Sequence, residues 1–203
     1  MSYLKYITIT LFFSILVTAC GKDAKKLENE MENTTQTISN TKNVVNEASE
    51  MQENIQQLHE KEYLTKEQWG SWLPEKVLDM PLTFSQINFM PGLGSCGANY
   101  KIGNKRIRVM VIDGAGERGA GGVGPYRMSS KMEYNTEDEW GYTKTVVIDG
   151  VNAKRSYVKT SGMYSLSMYY ANRFAVDIEI HNFSEDMLEE IVEALNLSEL
   201  KKF

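Results

Sequence analysis

The glycine run Gly114-Ala115-Gly116-Glu117-Arg118-Gly119 has the spacing most suggestive of chemistry in this 203-residue chain. A G-x-G-x-x-G turn after a strand can bring a dinucleotide's pyrophosphate onto the N–H groups of a following helix. That chemistry needs the helix itself, then a parallel strand carrying an acid about 20 residues on. Here glycines continue through Gly121, Gly122 and Gly124 to Pro125, and the segments beyond read as an antiparallel meander. The run is therefore expected to be a glycine-rich loop or a short, poorly formed helix between two strands, and no cofactor is assigned.

Other candidate groups are scattered. Cys96 has no histidine near it in sequence and reads as a small buried apolar residue rather than a nucleophile. His59 and His181 have no partner at metal-ligand spacing, so no metal site is assigned. The acids Glu137, Asp138 and Glu139, and the helical set Glu185, Glu189 and Glu193, read as solvated surface. Lys101, Lys105, Arg106 and Arg108 form a local basic cluster in a chain with 22 basic and 27 acidic residues, which excludes the broad positive field of a nucleic-acid binder. No nucleophile, base and orienter combine, and the chain is expected to be non-enzymatic, with no catalytic residue.

The firmest chemical assignment is Cys20, at the end of Leu16-Val17-Thr18-Ala19-Cys20. Lys5 precedes an apolar stretch from Tyr6 to Val17, and small residues come next, the anatomy of a cleaved secretory signal. The stretch is too short to span a bilayer, which takes about 20 residues. Residues 1–19 are thus expected to be a lipoprotein signal peptide, with Cys20 carrying the acyl chains that hold the protein on a membrane of the bacterial cell envelope. Gly21 is not the aspartate that retains some lipoproteins at an inner membrane, so in a cell with two membranes the outer one is expected. Once Lys5 is lost the protein is mildly acidic, and Cys96 is its only thiol.

Positioning of these groups falls to the rest of the chain. Residues 20–68 are polar and lack proline; Leu27, Met31, Ile38, Val45, Ala48 and Ile55 mark a weak apolar helical face, so this stretch is expected to be a helical or partly disordered tether. Residues 69–203 are expected to form a single α+β domain, an antiparallel β-sheet packed by a C-terminal helix. Strands are expected at Leu82–Phe89, Ser95–Ile102, Lys105–Ile112, Trp140–Asp149, Val151–Thr160, Met163–Tyr170 and Phe174–Ile180, because apolar alternation is broken by turn pairs such as Gly103-Asn104 and Asp149-Gly150. Ser184 is expected to cap the helix, with Met187, Leu188, Ile191, Val192 and Leu195 as its apolar stripe. Tyr126, Tyr134, Tyr142, Tyr157, Tyr164, Tyr169 and Tyr170 crowd the sheet, and some could form an exposed patch for a protein or glycan.

Gly141-Tyr142-Thr143-Lys144-Thr145, Asp149-Gly150, Asn172-Arg173-Phe174-Ala175-Val176 and Leu195-Asn196-Leu197 give residues 80–201 a resemblance to small uncharacterised bacterial envelope lipoproteins, and the arrangement is similar to the PsbP-like α+β sandwich. That likeness implies a binding or assembly role. The expected function is a lipid-anchored, non-enzymatic protein that binds or scaffolds another envelope component. The alternative is a lipoprotein holding a small apolar ligand between sheet and helix, gated by the glycine-rich segment.

Overall fold

Short connections between most successive strands leave no room for crossovers, so these neighbours must run antiparallel. The computed structural model describes residues 49–203. Among them the strands Lys76–Val77 (β1), Met80–Ile87 (β2), Ser95–Ile102 (β3), Lys105–Asp113 (β4), Asn135–Asp138 (β5), Gly141–Ile148 (β6), Val151–Val158 (β7), Met163–Tyr170 (β8) and Phe174–His181 (β9) form one sheet. Its order is β1-β2-β3-β4-β9-β8-β7-β6-β5, and every pair is antiparallel. Helices occupy residues 49–59 (α1), Lys66–Trp72 (α2), Gly116–Gly122 (α3), Gly124–Ser129 (α4) and Met187–Ala194 (α5), and a 3-10 turn spans Leu197–Lys202. The protein is thus α+β around a large antiparallel sheet.

Alternation assigns each strand two faces. Ile107, Val109 and Val111 of β4 share a face with Phe174, Val176, Ile178 and Ile180 of β9, all at most 1 % exposed. Trp69 and Trp72 of α2, and Leu188, Ile191, Val192 and Leu195 of α5, join the same core. Helix α2 starts at a capping box in which Thr65 accepts from the Gln68 N–H while the Gln68 side chain accepts from the Thr65 N–H. The other face carries a smaller cluster, in which Leu58 of α1, with Ala120 and Val123, covers Tyr169 and Ala175. Among the described residues no helix covers the rest of this face.

One connection is long. After β4, at mid-sheet, α3 and α4 carry the chain to the far edge at β5, and β6 to β9 then return to pair with β4. The hairpins close on left-handed residues: Asp149 and Gly150 at φ 49° and 76°, Ala171 and Asn172 both at 52°.

Several expectations are corrected. Strands β1 and β5 escape the sequence pattern, because the first has two residues and the second, Asn-Thr-Glu-Asp, is exposed throughout and carries no apolar alternation. Helix α5 begins after Asp186, without a side-chain cap; Ser184 contributes only its carbonyl, which accepts from the Met187 N–H at 3.3 Å. The compact unit runs Glu53–Phe203, starting ahead of the boundary expected at Trp69, because Leu58 and Leu64 are each 2 % exposed in its interior. The expected signal peptide 1–19, the expected lipidation at Cys20 and the part of the expected tether up to residue 48 lie outside the described residues.

Candidate functional site

The glycine motif turns out to be a packing device around a buried carboxylate. Asp113, last residue of β4, is fully buried; its Oδ1 accepts from Arg173 Nε at 2.7 Å and its Oδ2 from Arg173 Nη2 at 2.8 Å. Oδ2 also accepts from the Leu64 N–H and Oδ1 from the Ala115 N–H, directly at the start of α3. Arg173 spends its remaining donors on the main-chain oxygens of Glu62 and Phe203. A Cβ on Gly114 would stand 2.5 Å from the Arg173 carbonyl oxygen, and one on Gly119 would stand 2.6 Å from that of Asp113. Gly116 sits at φ 79°. The three motif glycines therefore serve close approach and a left-handed turn, while the Asp113 carboxylate takes the position at the helix start that a phosphate would need. The segment is two short helices, not a loop.

Cys96 is 1 % exposed in the core, and burial pushes its thiol up to about 12, so it carries no thiolate at neutral pH. His59 is exposed at the end of α1, whereas His181 ends β9 on the open face. Burial, then the neighbouring Arg106 charge, hold the His181 imidazole below its usual range; Arg106 Nη2 lies 2.8 Å from its Nε2. Among the described residues no three His, Cys, Asp or Glu side chains gather closely enough for a metal ion, and no helix is long and apolar enough to cross a membrane. Glu137 and Glu139 are exposed, and Asp138 accepts from the N–H groups of Trp140 and Gly141 in the β5–β6 turn. Glu185 and Glu189 bind the buried guanidinium of Arg155 at 3.1 and 2.7 Å. Glu193 stays exposed.

The tyrosines do not make one patch. Tyr142, Tyr157 and Tyr164 form a ladder on the core face, with Tyr157 and Tyr164 stacked at 4.4 Å, while Tyr170 is fully buried. Tyr169 lies on the opposite face of the sheet, and Tyr126 of α4 packs down onto that face; Tyr126 donates to Asp177, and Tyr169 accepts from Arg127. Tyr134 is bonded to Ser129 beside β6. Strand alternation, which divides neighbours between faces, accounts for the dispersal.

The two cavities differ in character. One, of about 470 Å³, lies between the β6–β7 hairpin and α5 and is lined by Asp149, Glu189, Glu193 and Asn196 with Val192 and Leu197. The glycine-rich segment packs on the other face and takes no part in it. The second, of about 400 Å³, is a depression on the open face between β2 and β4, where Phe84, Phe89 and Met110 meet Gln86, Asn99, Arg106 and Arg108 over the bare backbone of Gly97.

This depression begins a polar platform. Register places Phe84, Asn99, Arg108 and Glu179 side by side across β2, β3, β4 and β9. The same row continues through Ser165, Ser156, Thr143 and Thr136 on the remaining strands. Phe84 is 53 % exposed, and the Arg108 side chain 55 %, with Glu179 at 3.4 Å. No carboxylate among the described residues pairs with Arg106. Of the basic cluster, Lys101 joins this face opposite Arg106, while Lys105 leans over the Phe183 ring. Such a surface offers hydrogen bonds, two guanidinium charges and one exposed ring, the means of recognition rather than of bond cleavage. Sequence alternation placed Arg106 and Arg108 on the wetter face; Phe84 of β2 and Phe89 just beyond it, which complete the depression, read like core aromatics and so gave no sign of an exposed site. Comparison of the chain with protein-family models, curated proteins and solved structures returns no match.

Proposed function

We propose that this is a lipid-anchored, non-enzymatic protein of the bacterial cell envelope, held on its membrane through Cys20 and a polar tether, whose α+β domain binds another envelope component. The open face of the sheet is the binding surface. One observation carries this reading: the exposed arginines, the exposed Phe84 and the row of half-exposed hydroxyls converge on one face, whereas the thiol and the ion pair that might have done chemistry are sealed in the interior. The apolar-ligand alternative loses its gate, because the glycine-rich segment packs on the opposite face from the cavity beside α5.

The test is crosslinking and affinity capture from native membranes with the full chain, its Cys20→Ala form and an Arg106→Glu/Arg108→Glu form. Cys20→Ala is expected to move the protein into the soluble fraction, and the double charge reversal to lose the captured component while the protein stays on the membrane. A capture profile unchanged by the reversal sinks the open-face assignment. Membrane retention of Cys20→Ala sinks the anchor.

A further inference from the structure

We infer that the bound component enters as an extended acidic polypeptide that adds a strand to the outer edge of β2 and lays its side chains into the depression beside it. This rests on the open-face reading and names the partner's chemistry. The two edges of the sheet are treated differently by the sequence. At β5 the edge is guarded by charge, with Glu137 and Asp138 in the strand and Glu133 and Glu139 flanking it. At β2, strand β1 covers only Met80 and Pro81. Leu82 to Ile87, Leu-Thr-Phe-Ser-Gln-Ile, has neither a charge nor a proline, and Thr83 to Gln86 are all exposed.

Backbone direction can be read off this edge. The Asn88 N–H donates inward to the Ser95 carbonyl, so alternation turns the main-chain groups of Gln86 and Phe84 toward β3 and those of Ile87 and Ser85 outward. Leu82 also points outward, donating to Glu75, and the register irregularity between Leu82 and Phe84 restores the alternation. Among the described residues nothing pairs with the outward groups of Ser85 and Ile87. An added strand would satisfy them and bring every second side chain over Phe84 and Phe89. The charge of that partner is set by its surroundings: Lys76 on β1, then Lys101, Arg106 without a carboxylate among the described residues, and Arg108, whose exposed guanidinium is paired at one end with Glu179 at 3.4 Å.

Ser85→Pro tests the inference, since it removes an outward donor and leaves the β2–β3 ladder intact. The probe is a labelled synthetic peptide in which Glu alternates with Val, titrated by fluorescence anisotropy against the full chain in detergent, with a Lys-for-Glu peptide as control. The Glu peptide is expected to bind, and to weaken by about tenfold or more with Ser85→Pro, with Arg106→Gln/Arg108→Gln, and in high salt. Equal binding of the Lys peptide, or no loss with Ser85→Pro in a variant whose circular dichroism is unchanged, overturns it. So does a self-associated chain that Ser85→Pro renders monomeric while the Glu peptide fails to bind, which would make the occupant a second copy. If the peptide fails yet charge reversal still abolishes capture from membranes, the open face stands and the strand mode falls.

Discussion

The carboxylate of Asp113 and the guanidinium of Arg173 meet edge to edge through two hydrogen bonds of 2.7 and 2.8 Å, although 60 residues separate them in the chain. Both groups are buried, and every oxygen of the acid also holds a main-chain N–H. Removing one partner strands a charge in the interior. Asp113→Asn and Arg173→Met are each expected to destabilise the protein by about 3–5 kcal/mol. The pair Asp113→Asn/Arg173→Met should cost less than the sum of its singles, because it leaves no orphaned charge. Urea denaturation of the four proteins checks this, and strict additivity would contradict it.

The glycines around this pair differ sharply in what they tolerate. Gly119→Ala drives a methyl against the Asp113 carbonyl oxygen and is expected to cost about 2 kcal/mol or more. Gly121→Ala, two residues along the same helix, meets nothing within 4 Å and should stabilise by about 0.5–1 kcal/mol through helix propensity alone. Thermal unfolding of both variants separates the roles; a loss at Gly121 would mean that α3 is not helical there.

Ala171 holds φ 52° in the β8–β9 turn, a conformation that costs an L-residue about 1–2 kcal/mol and glycine nothing. Ala171→Gly is expected to gain about 0.5–1 kcal/mol once glycine's larger chain entropy is subtracted. Chemical denaturation should show a higher midpoint with an unchanged slope.

For Cys96 the direction of pH dependence is dictated by burial. Its folded pKa of about 12 stands above the unfolded value, so at alkaline pH the unfolded chain gives up the thiol proton first. The contribution is therefore fully present below the ordinary thiol range and is lost as pH climbs toward 12. Between pH 8 and 10.5 the wild-type unfolding midpoint should fall more steeply than that of Cys96→Ala. A thiol-specific reagent at pH 8 should label the protein only after denaturation; rapid native labelling would place the thiol at the surface.

Legibility in the sequence tracked the strength of local periodicity. Ser95–Ile102 and Met163–Tyr170 match their strands residue for residue, because their limits are set by turn pairs and by clean alternation. Lys105–Asp113 ran one residue beyond the expected Ile112, and that residue, Asp113, holds the interior ion pair. Nothing local marks Asp113 or Arg173 as partners, since their meeting depends on β4 and β9 becoming neighbours after the whole meander has formed. The basic side of the open depression was readable from Arg106 and Arg108. Its aromatic side was not, because Leu82-Thr83-Phe84-Ser85 alternates as a half-buried strand would, so nothing local tells an exposed Phe84 from a core one.

The Arg173–Asp113 pair also fixes how force travels. Arg173 grips the Glu62 carbonyl and Asp113 the Leu64 amide, just ahead of α2, while Asn54 and Leu58 are fastened to Asn172 and its surroundings. Tension arriving from the N-terminal side is thus delivered to the ends of β4 and β9, neighbours in the middle of the sheet, rather than to a peripheral strand. Because Asp113 pairs with Phe174, both strands are gripped at the same end, so such a load draws β4 and β9 together instead of sliding one past the other.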